Sequence, residues 1–226
     1  MSAPGAKRNL FLWLLAGAAA IALAWQFDGK VDAALDVASR PFLQKVAWWC
    51  SQAGEGWAVA LWGISSAVIF LLVKRPEIAA KVFFVAFTSE IAGLISTIFR
   101  VLIGRTRPNA HVPQGIYGVW YNGHCIIGKY EFSSFPSGHS AVAAGLAAAA
   151  WLFNPAWGAV ATVYAVAVMW SRIAQQCHHL SDVTASIVLS VPIAVWMNRK
   201  FARTNANFFQ KLSQKMAAKK TASDKM

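Results

Sequence analysis

The chain has 226 residues, 57% hydrophobic and 13% charged, with eleven tryptophans and a mean hydropathy of +0.45. That is too apolar for an ordinary water-soluble domain of this length and reads as an integral membrane protein. The formal charge of +12 raises nucleic acid as a partner, but the basic residues gather at the chain ends and in short loops instead of forming one basic, aromatic-studded face, so no nucleic-acid partner is expected.

The first apolar stretch runs from Asn9 to Phe27. Its surroundings, "KRNLFLWLLAGAAAIALA", have the basic-then-apolar layout of a signal peptide ending at Ala22-Leu23-Ala24. The following "FDGKVDAALDVASRPFLQKVAWW" is patterned as a short amphipathic surface helix continuing from the span, so an uncleaved helix is expected. Further apolar runs cover Gly56 to Val73, Val82 to Phe99 (interrupted by Glu90), His139 to Phe153, Ala156 to Trp170 and Val183 to Met197. Several have 15 to 19 residues. A bilayer needs roughly 20, so the ends should extend into polar neighbours such as Ser137 and Asp182. The expected fold is all-α: a polytopic six-transmembrane-helix bundle with a short amphipathic surface helix after the first span.

Lys7 and Arg8 precede the first span, Lys74, Arg75 and Lys81 lie between the second and third, and a lysine-rich tail follows the sixth. With six spans these fall on one side, which the positive-inside rule makes cytoplasmic. Residues 28 to 55, 100 to 138 and 171 to 182 then face the other side of the cytoplasmic (inner) membrane. No repeat or Gly/Ser-rich linker divides the chain, so residues 1–203 are read as one membrane-embedded domain and 204–226 as a basic cytoplasmic tail. In the fourth span Ala141, Gly145 and Ala149 recur every four residues and give a face that a neighbouring helix can approach closely. Pro192 removes a backbone donor from the sixth, with Ser190 near enough to help satisfy the freed carbonyl.

Three polar clusters fall on the extracytoplasmic side: "RVLIGRTRP" with Arg100, Arg105 and Arg107; "FPSGHS" with Ser137, Gly138 and His139; and "SRIAQQCHHLSD" with Arg172, His178, His179 and Asp182. Each alone has an ordinary explanation, as interfacial anchors, a helix start and an i,i+4 pair. Together they ask for an anion. Arginines gathered in one site repel each other without a negative ligand, and their planar donors suit phosphate. The Ser137-Gly138 turn opens a helix whose N–H groups favour an anion. A neutral imidazole can attack phosphorus, with a carboxylate on its other ring nitrogen fixing the tautomer. His178 and Asp182 have that i,i+4 spacing if the segment is helical, and His139 can protonate the departing oxygen.

The spacing Arg100-x6-Arg107-Pro108, Pro136-Ser137-Gly138-His139 and Ser171-Arg172-x5-His178-x3-Asp182 resembles the three-part signature of the type 2 phosphatidic acid phosphatase superfamily. The resemblance implies a cofactor-free, metal-independent phosphatase with a six-helix core. Its reaction would pass through a phosphohistidine at His178, oriented by Asp182, with His139 protonating the leaving group. Arg100, Arg107, Ser137, Gly138 and Arg172 would hold the phosphoryl oxygens, and His179 is a neighbour. The family usually carries lysine where this chain has Arg100, which keeps the charge and changes its shape.

The implied function is hydrolysis of a lipid phosphate or diphosphate: undecaprenyl diphosphate, phosphatidylglycerol phosphate, phosphatidic acid and lipid A are all candidates. Membrane lipids are the expected partners. The alternatives are a lipid phosphotransferase using the same intermediate and a non-catalytic anionic-lipid binding or transport protein. The related haloperoxidases are soluble, which six apolar spans oppose. Zinc held by His178, His179, Asp182 and His139 is disfavoured by the arginines, and magnesium by the scarcity of carboxylates. Glu90 is expected to be structural. The loop carrying His111, His124 and Lys129 is expected to cap the pocket. A Cys50–Cys125 disulfide is weakly suggested, and Cys177 reads as packing.

Overall fold

The computed structural model describes residues 4–223, with side chains from residue 8 to residue 202. The side chains of the expected basic tail, 204–226, lie outside the described residues. Seven helices follow one another: α1 Pro4–Leu35, α2 Pro41–Ala53, α3 Gly56–Leu72, α4 Pro76–Ile103, α5 Gly138–Trp151, α6 Pro155–Ala174 and α7 Leu180–Ser223. The long loop between α4 and α5 carries the two-residue strands β1 Trp120–Tyr121 and β2 His124–Cys125, paired antiparallel.

The helix ends follow from local chemistry. Pro41, Pro76 and Pro155 sit in the first turns of α2, α4 and α6, where the missing N–H costs nothing and φ is preset. Asn154 Oδ1 caps α6 by accepting from Ala156 N at 2.8 Å and Trp157 N at 3.2 Å. Gly104 ends α4 at φ 61°, and a Cβ there would lie 1.7 Å from Gly118 O, so only glycine permits this turn into the arginine-bearing loop.

All six apolar runs are helical, in α1, α3, α4, α5, α6 and α7. Four of these, α1, α4, α6 and α7, are long and apolar enough to cross a membrane. The pair α2 and α3, bent by 58° at a short break, makes a fifth if counted as one span. With 14 residues, about 21 Å at 1.5 Å per residue, α5 falls short of that test. It is the centre of the bundle, packed by α4, α6 and α7, and nearly every residue of it is buried. Its short backbone is therefore covered by protein and needs little lipid-matched length of its own.

The expected close approach on α5 is present. A Cβ on Gly145 would sit 2.9 Å from Ala92 Cβ and 3.2 Å from Ser89 Cα of α4. Serines of the neighbouring helices bond to α5 and the turn before it: Ser89 Oγ donates to Val142 O (2.6 Å), Ser186 Oγ to Ser137 O (2.8 Å) and Ser190 Oγ to Ala141 O (3.0 Å).

Two expectations change here. Ser190 serves α5 and not the carbonyl freed by Pro192. That carbonyl, Val188 O, accepts from Trp13 Nε1 of α1 at 3.0 Å. The segment after Phe27 is not one surface helix: α1 continues to Leu35, the chain turns, and Pro41 starts a separate α2. Asp28 and Asp32, which lie in that segment, are buried, Asp28 against Arg105 and Ser181 and Asp32 against His179.

Candidate active site

The three polar clusters meet at one end of the bundle, where α4 and α6 finish and α5 and α7 begin. His178 lies in the turn before α7 and is completely buried. Its Nδ1 is 2.7 Å from Ser134 O, and because a carbonyl only accepts, Nδ1 carries the proton and Nε2 presents a lone pair. His178 Nε2 is buried without a hydrogen-bond partner among the described residues. Burial pushes the imidazole down to about 3, with the charges of Arg172 and Arg107 adding to it against the opposing influence of the nearby Asp182 carboxylate.

The expectation that Asp182 itself bonds the His178 ring is corrected. Its Oδ2 is 3.7 Å from Nδ1, beyond hydrogen-bond length, and the two residues do not share a helical turn because α7 begins at Leu180. The carboxylate is occupied elsewhere: Oδ2 accepts from Ser134 Oγ (2.5 Å) and His179 N (2.8 Å), and Oδ1 from Arg105 Nη1 (2.5 Å). Ser134 thus joins the two, its hydroxyl on Asp182 and its carbonyl on His178. The bond to His179 N is the reach-back of an acid in the first helical turn to the residue before the helix.

Behind Asp182 lies a buried network drawn from α1. Arg105 Nη2 pairs with Asp28 Oδ2 at 2.7 Å, Asp28 Oδ1 accepts from Ser181 N at 2.8 Å, and the Arg105 guanidinium lies 3.7 Å over the Trp25 ring. His179 Nδ1 pairs with Asp32 Oδ2 at 2.6 Å. Arg105 belongs to the same sequence cluster as Arg100 and Arg107, but two carboxylates neutralise it.

The other arginines are different. Arg107 Nε and Nη1 and Arg172 Nε are buried without a partner among the described residues. Arg107 lies 3.8 Å over the Tyr130 ring, and Arg172 Nη1 donates to Ser51 Oγ. Arg100 Nη1 approaches the start of α5 so closely that a Cβ on Gly138 would be 3.1 Å from it. These three cations act electrostatically on one another, and Arg107 and Arg172 also act on His178. Ser137 precedes α5, its Oγ accepting from Ser140 N at 3.4 Å. His139, the second residue of α5, faces Glu55 Oε1 at 3.0 Å from Nε2, off the line of a hydrogen bond.

His111, His124 and Lys129 are exposed; the loop instead brings Tyr130, Ser133 and Ser134 to the site. Glu90 Oε2 packs at the start of α3, 2.8 Å from where a Gly56 Cβ would be. All three cysteines are free. Among the described residues no three of His, Cys, Asp and Glu gather as a ligand set, and the four considered for zinc are divided between separate partners, His179 with Asp32 and His139 with Glu55. Glu55, Asp28, Asp32 and Ser134 were missed by sequence reasoning; an acid beside an apolar run was the available signal for the first three.

These features define a helical membrane protein with three arginines and a buried imidazole nitrogen, unbonded among the described residues, gathered at one end of its bundle. The chain belongs to the PAP2 superfamily, whose sequence model matches residues 79–206, more than half of it. It is 26% identical over 147 residues to the lipid A 1-phosphatase of Rhizobium johnstonii, an alignment of 62% of this chain and 58% of that protein, so the chain spans under two thirds of that curated relative. Two crystal structures share the fold. One is a transmembrane PAP2-type phosphatidylglycerolphosphate phosphatase from Bacillus subtilis, with TM-score 0.59 and 21% identity over 86% of this chain and 95% of that one. The other is LpxE of Aquifex aeolicus, with TM-score 0.54 and 17% identity over 76% and 95%.

Proposed function

We propose that this protein hydrolyses a phosphate or diphosphate ester of a membrane lipid through a phosphohistidine at His178. The observation that carries the reading is a set of buried atoms without hydrogen-bond partners among the described residues: His178 Nε2, Arg107 Nε and Nη1, and Arg172 Nε. Buried groups of this kind are costly unless a ligand meets them, and a phosphoryl group whose oxygens take the arginine donors and whose phosphorus faces the imidazole lone pair meets them all.

In the first step His178 Nε2 attacks phosphorus while Ser134 O holds the Nδ1 proton. The bond from phosphorus to the lipid oxygen breaks, and His139 gives that oxygen a proton. Arg100, Arg107 and Arg172, with the N–H groups at the start of α5, carry the charge on the phosphoryl oxygens. Water then attacks the phosphohistidine, His139 takes the proton back, and phosphate leaves with His178 neutral again. Asp182 orients this arrangement through Ser134 and its own charge.

An apolar cleft of about 740 Å³ lies among α3, α4, α5 and α6, lined by residues including Val59, Trp62, Val85, Leu146 and Tyr164. It reaches Ala53, two residues from the Glu55 that faces His139. A chain lying in this cleft delivers its headgroup to the arginines. The layout we favour has six spans, with α5 and the bent α2–α3 pair completing the bundle, and the site at the outer face of the cytoplasmic membrane, as the distribution of lysine and arginine directs.

The test is phosphate release by the detergent-purified protein, with excess chelator, beside His178→Ala. Lipid A 1-phosphate heads the substrate panel because of the curated relative, followed by phosphatidylglycerol phosphate, phosphatidic acid and undecaprenyl diphosphate. Release that survives chelator and is lost in the variant supports the reading. Release equal in the variant removes His178 as nucleophile, and label passing to a second lipid makes the enzyme a transferase.

A further inference from the structure

Glu55 is the residue before α3, and its carboxylate makes no capping bond to that helix. It stands across the gap to α5, with Oε1 3.0 Å from His139 Nε2. Its position is electrostatically costly for an anion site: Glu55 lies within reach of Arg100 and Arg172, and a carboxylate there repels an incoming phosphate. Such a group needs a compensating task.

The field on His139 supplies one. Burial above all opposes a positive charge on this imidazole, Arg172 from the end of α6 and Arg100 from the end of α4 add to that opposition, and Glu55 is the acid that faces it. An imidazole that must protonate an alkoxide has to hold its proton among those arginines. The side chain of Glu55 is 37% exposed and that of His139 17%, so the pair is partly open, and Ala53 and Ala58, on either side of Glu55 in the chain, line the apolar cleft.

We infer that Glu55 is a positioning residue that holds the proton on His139 for the leaving-group step. The inference rests on the phosphatase reading above. When the bond from phosphorus to oxygen breaks, the electron pair stays on the lipid oxygen, the imidazolium proton joins it, and His139 becomes neutral. Water attacking the phosphohistidine returns a proton to His139 beside Glu55. Over the cycle Glu55 neither gains nor loses a proton; it shifts the balance between the two states of His139.

The experiment uses the full-length protein in detergent, comparing the unchanged chain with Glu55→Gln, Glu55→Asp and His139→Ala. Two substrates are compared: phosphatidic acid, whose alkoxide needs a proton, and p-nitrophenyl phosphate, whose leaving group departs without one. Expected for Glu55→Gln is a fall in kcat of about tenfold or more on phosphatidic acid at pH 8, with KM not raised. The alkaline limb of its kcat profile moves to lower pH, and the loss on p-nitrophenyl phosphate is under about threefold. Glu55→Asp, which keeps the charge one methylene further back, should fall between, and carries the test should the glutamine variant not fold. Losses equal at every pH and on both substrates would make Glu55 structural and overturn the inference. An unchanged profile in Glu55→Gln beside an inactive His139→Ala would also overturn it, leaving the phosphatase reading in place. Full activity of His139→Ala on phosphatidic acid would instead remove His139 as general acid and take the underlying reading with it.

Discussion

His178 donates from Nδ1 to the backbone carbonyl of Ser134 at 2.7 Å, so the tautomer that frees Nε2 is held by the main chain. The Ser134 hydroxyl in turn donates to Asp182 at 2.5 Å. Ser134→Ala keeps the carbonyl and removes the tie to Asp182. We expect kcat to fall about tenfold with KM nearly unchanged, as for a lost partner that orients a reacting group. Asp182→Asn disturbs both the tie and the charge facing Arg105, and should cost at least about a hundredfold. A Ser134→Ala enzyme as slow as Asp182→Asn would mean that the carbonyl has moved as well, which the variant's crystal structure would reveal.

The burial of His178 as a neutral ring has a consequence for acid stability. In the unfolded chain the residue takes up a proton below about pH 6.5, its ordinary value, while in the folded protein it stays neutral down to about 3. Between these values the unfolded state binds the extra proton, so stability rises with pH and is lost as pH falls from 6.5 toward 3. The contribution of this residue is fully present above that window. Thermal unfolding in detergent between pH 7 and pH 5 should therefore show a smaller acid loss in His178→Gln than in the unchanged chain. Parallel curves for the two proteins would contradict the neutral, buried state.

How much of this could be read from the sequence depended on sequence distance. The six apolar runs gave helices because their composition leaves few other structures, and the arginines, Ser137, Gly138 and both histidines came together at one bundle end as their positions at helix ends require. The supporting shell was hidden. Asp28 meets Ser181 and Glu55 meets His139 across most or much of the chain, and a single acid beside an apolar run does not announce its partner. The i,i+4 reading of His178 and Asp182 places them 3.7 Å apart but short of a hydrogen bond, because α7 starts between them and Ser134 makes the contact that spacing assigned to the carboxylate. The span count blurred at α5 because a helix surrounded by other helices can be short.

Arg105 and Arg107 are two residues apart and should behave oppositely. Arg105 is held by Asp28 and Asp182 in a buried network, so Arg105→Ala leaves two carboxylates uncompensated. Breaking buried pairs in this way costs about 3–5 kcal/mol. Its yield and melting temperature should drop, with activity lost alongside the fold. Arg107 has two buried nitrogens without hydrogen-bond partners among the described residues, and removing it relieves repulsion with Arg100 and Arg172. Arg107→Ala should keep its melting temperature within a few degrees and lose at least about a hundredfold in kcat/KM. Melting curves of the two variants side by side decide the assignment; a strongly destabilised Arg107→Ala would refute it.

Pro192 leaves Val188 O without its helical donor, and Trp13 Nε1 supplies one from α1 at 3.0 Å. The bond ties the first helix to the last. Trp13→Phe keeps most of the ring and deletes the N–H, leaving the carbonyl without that donor. The expected cost is about 0.5–1.5 kcal/mol, read as a lower melting temperature, with phosphate release nearly unchanged. Pro192→Ala restores a backbone N–H at the position that can reach Val188 O, so the same tryptophan change should cost less in that background. A double-mutant cycle of the four proteins measures the difference directly. Equal costs with and without Pro192 would show that Trp13 stabilises the protein by packing alone.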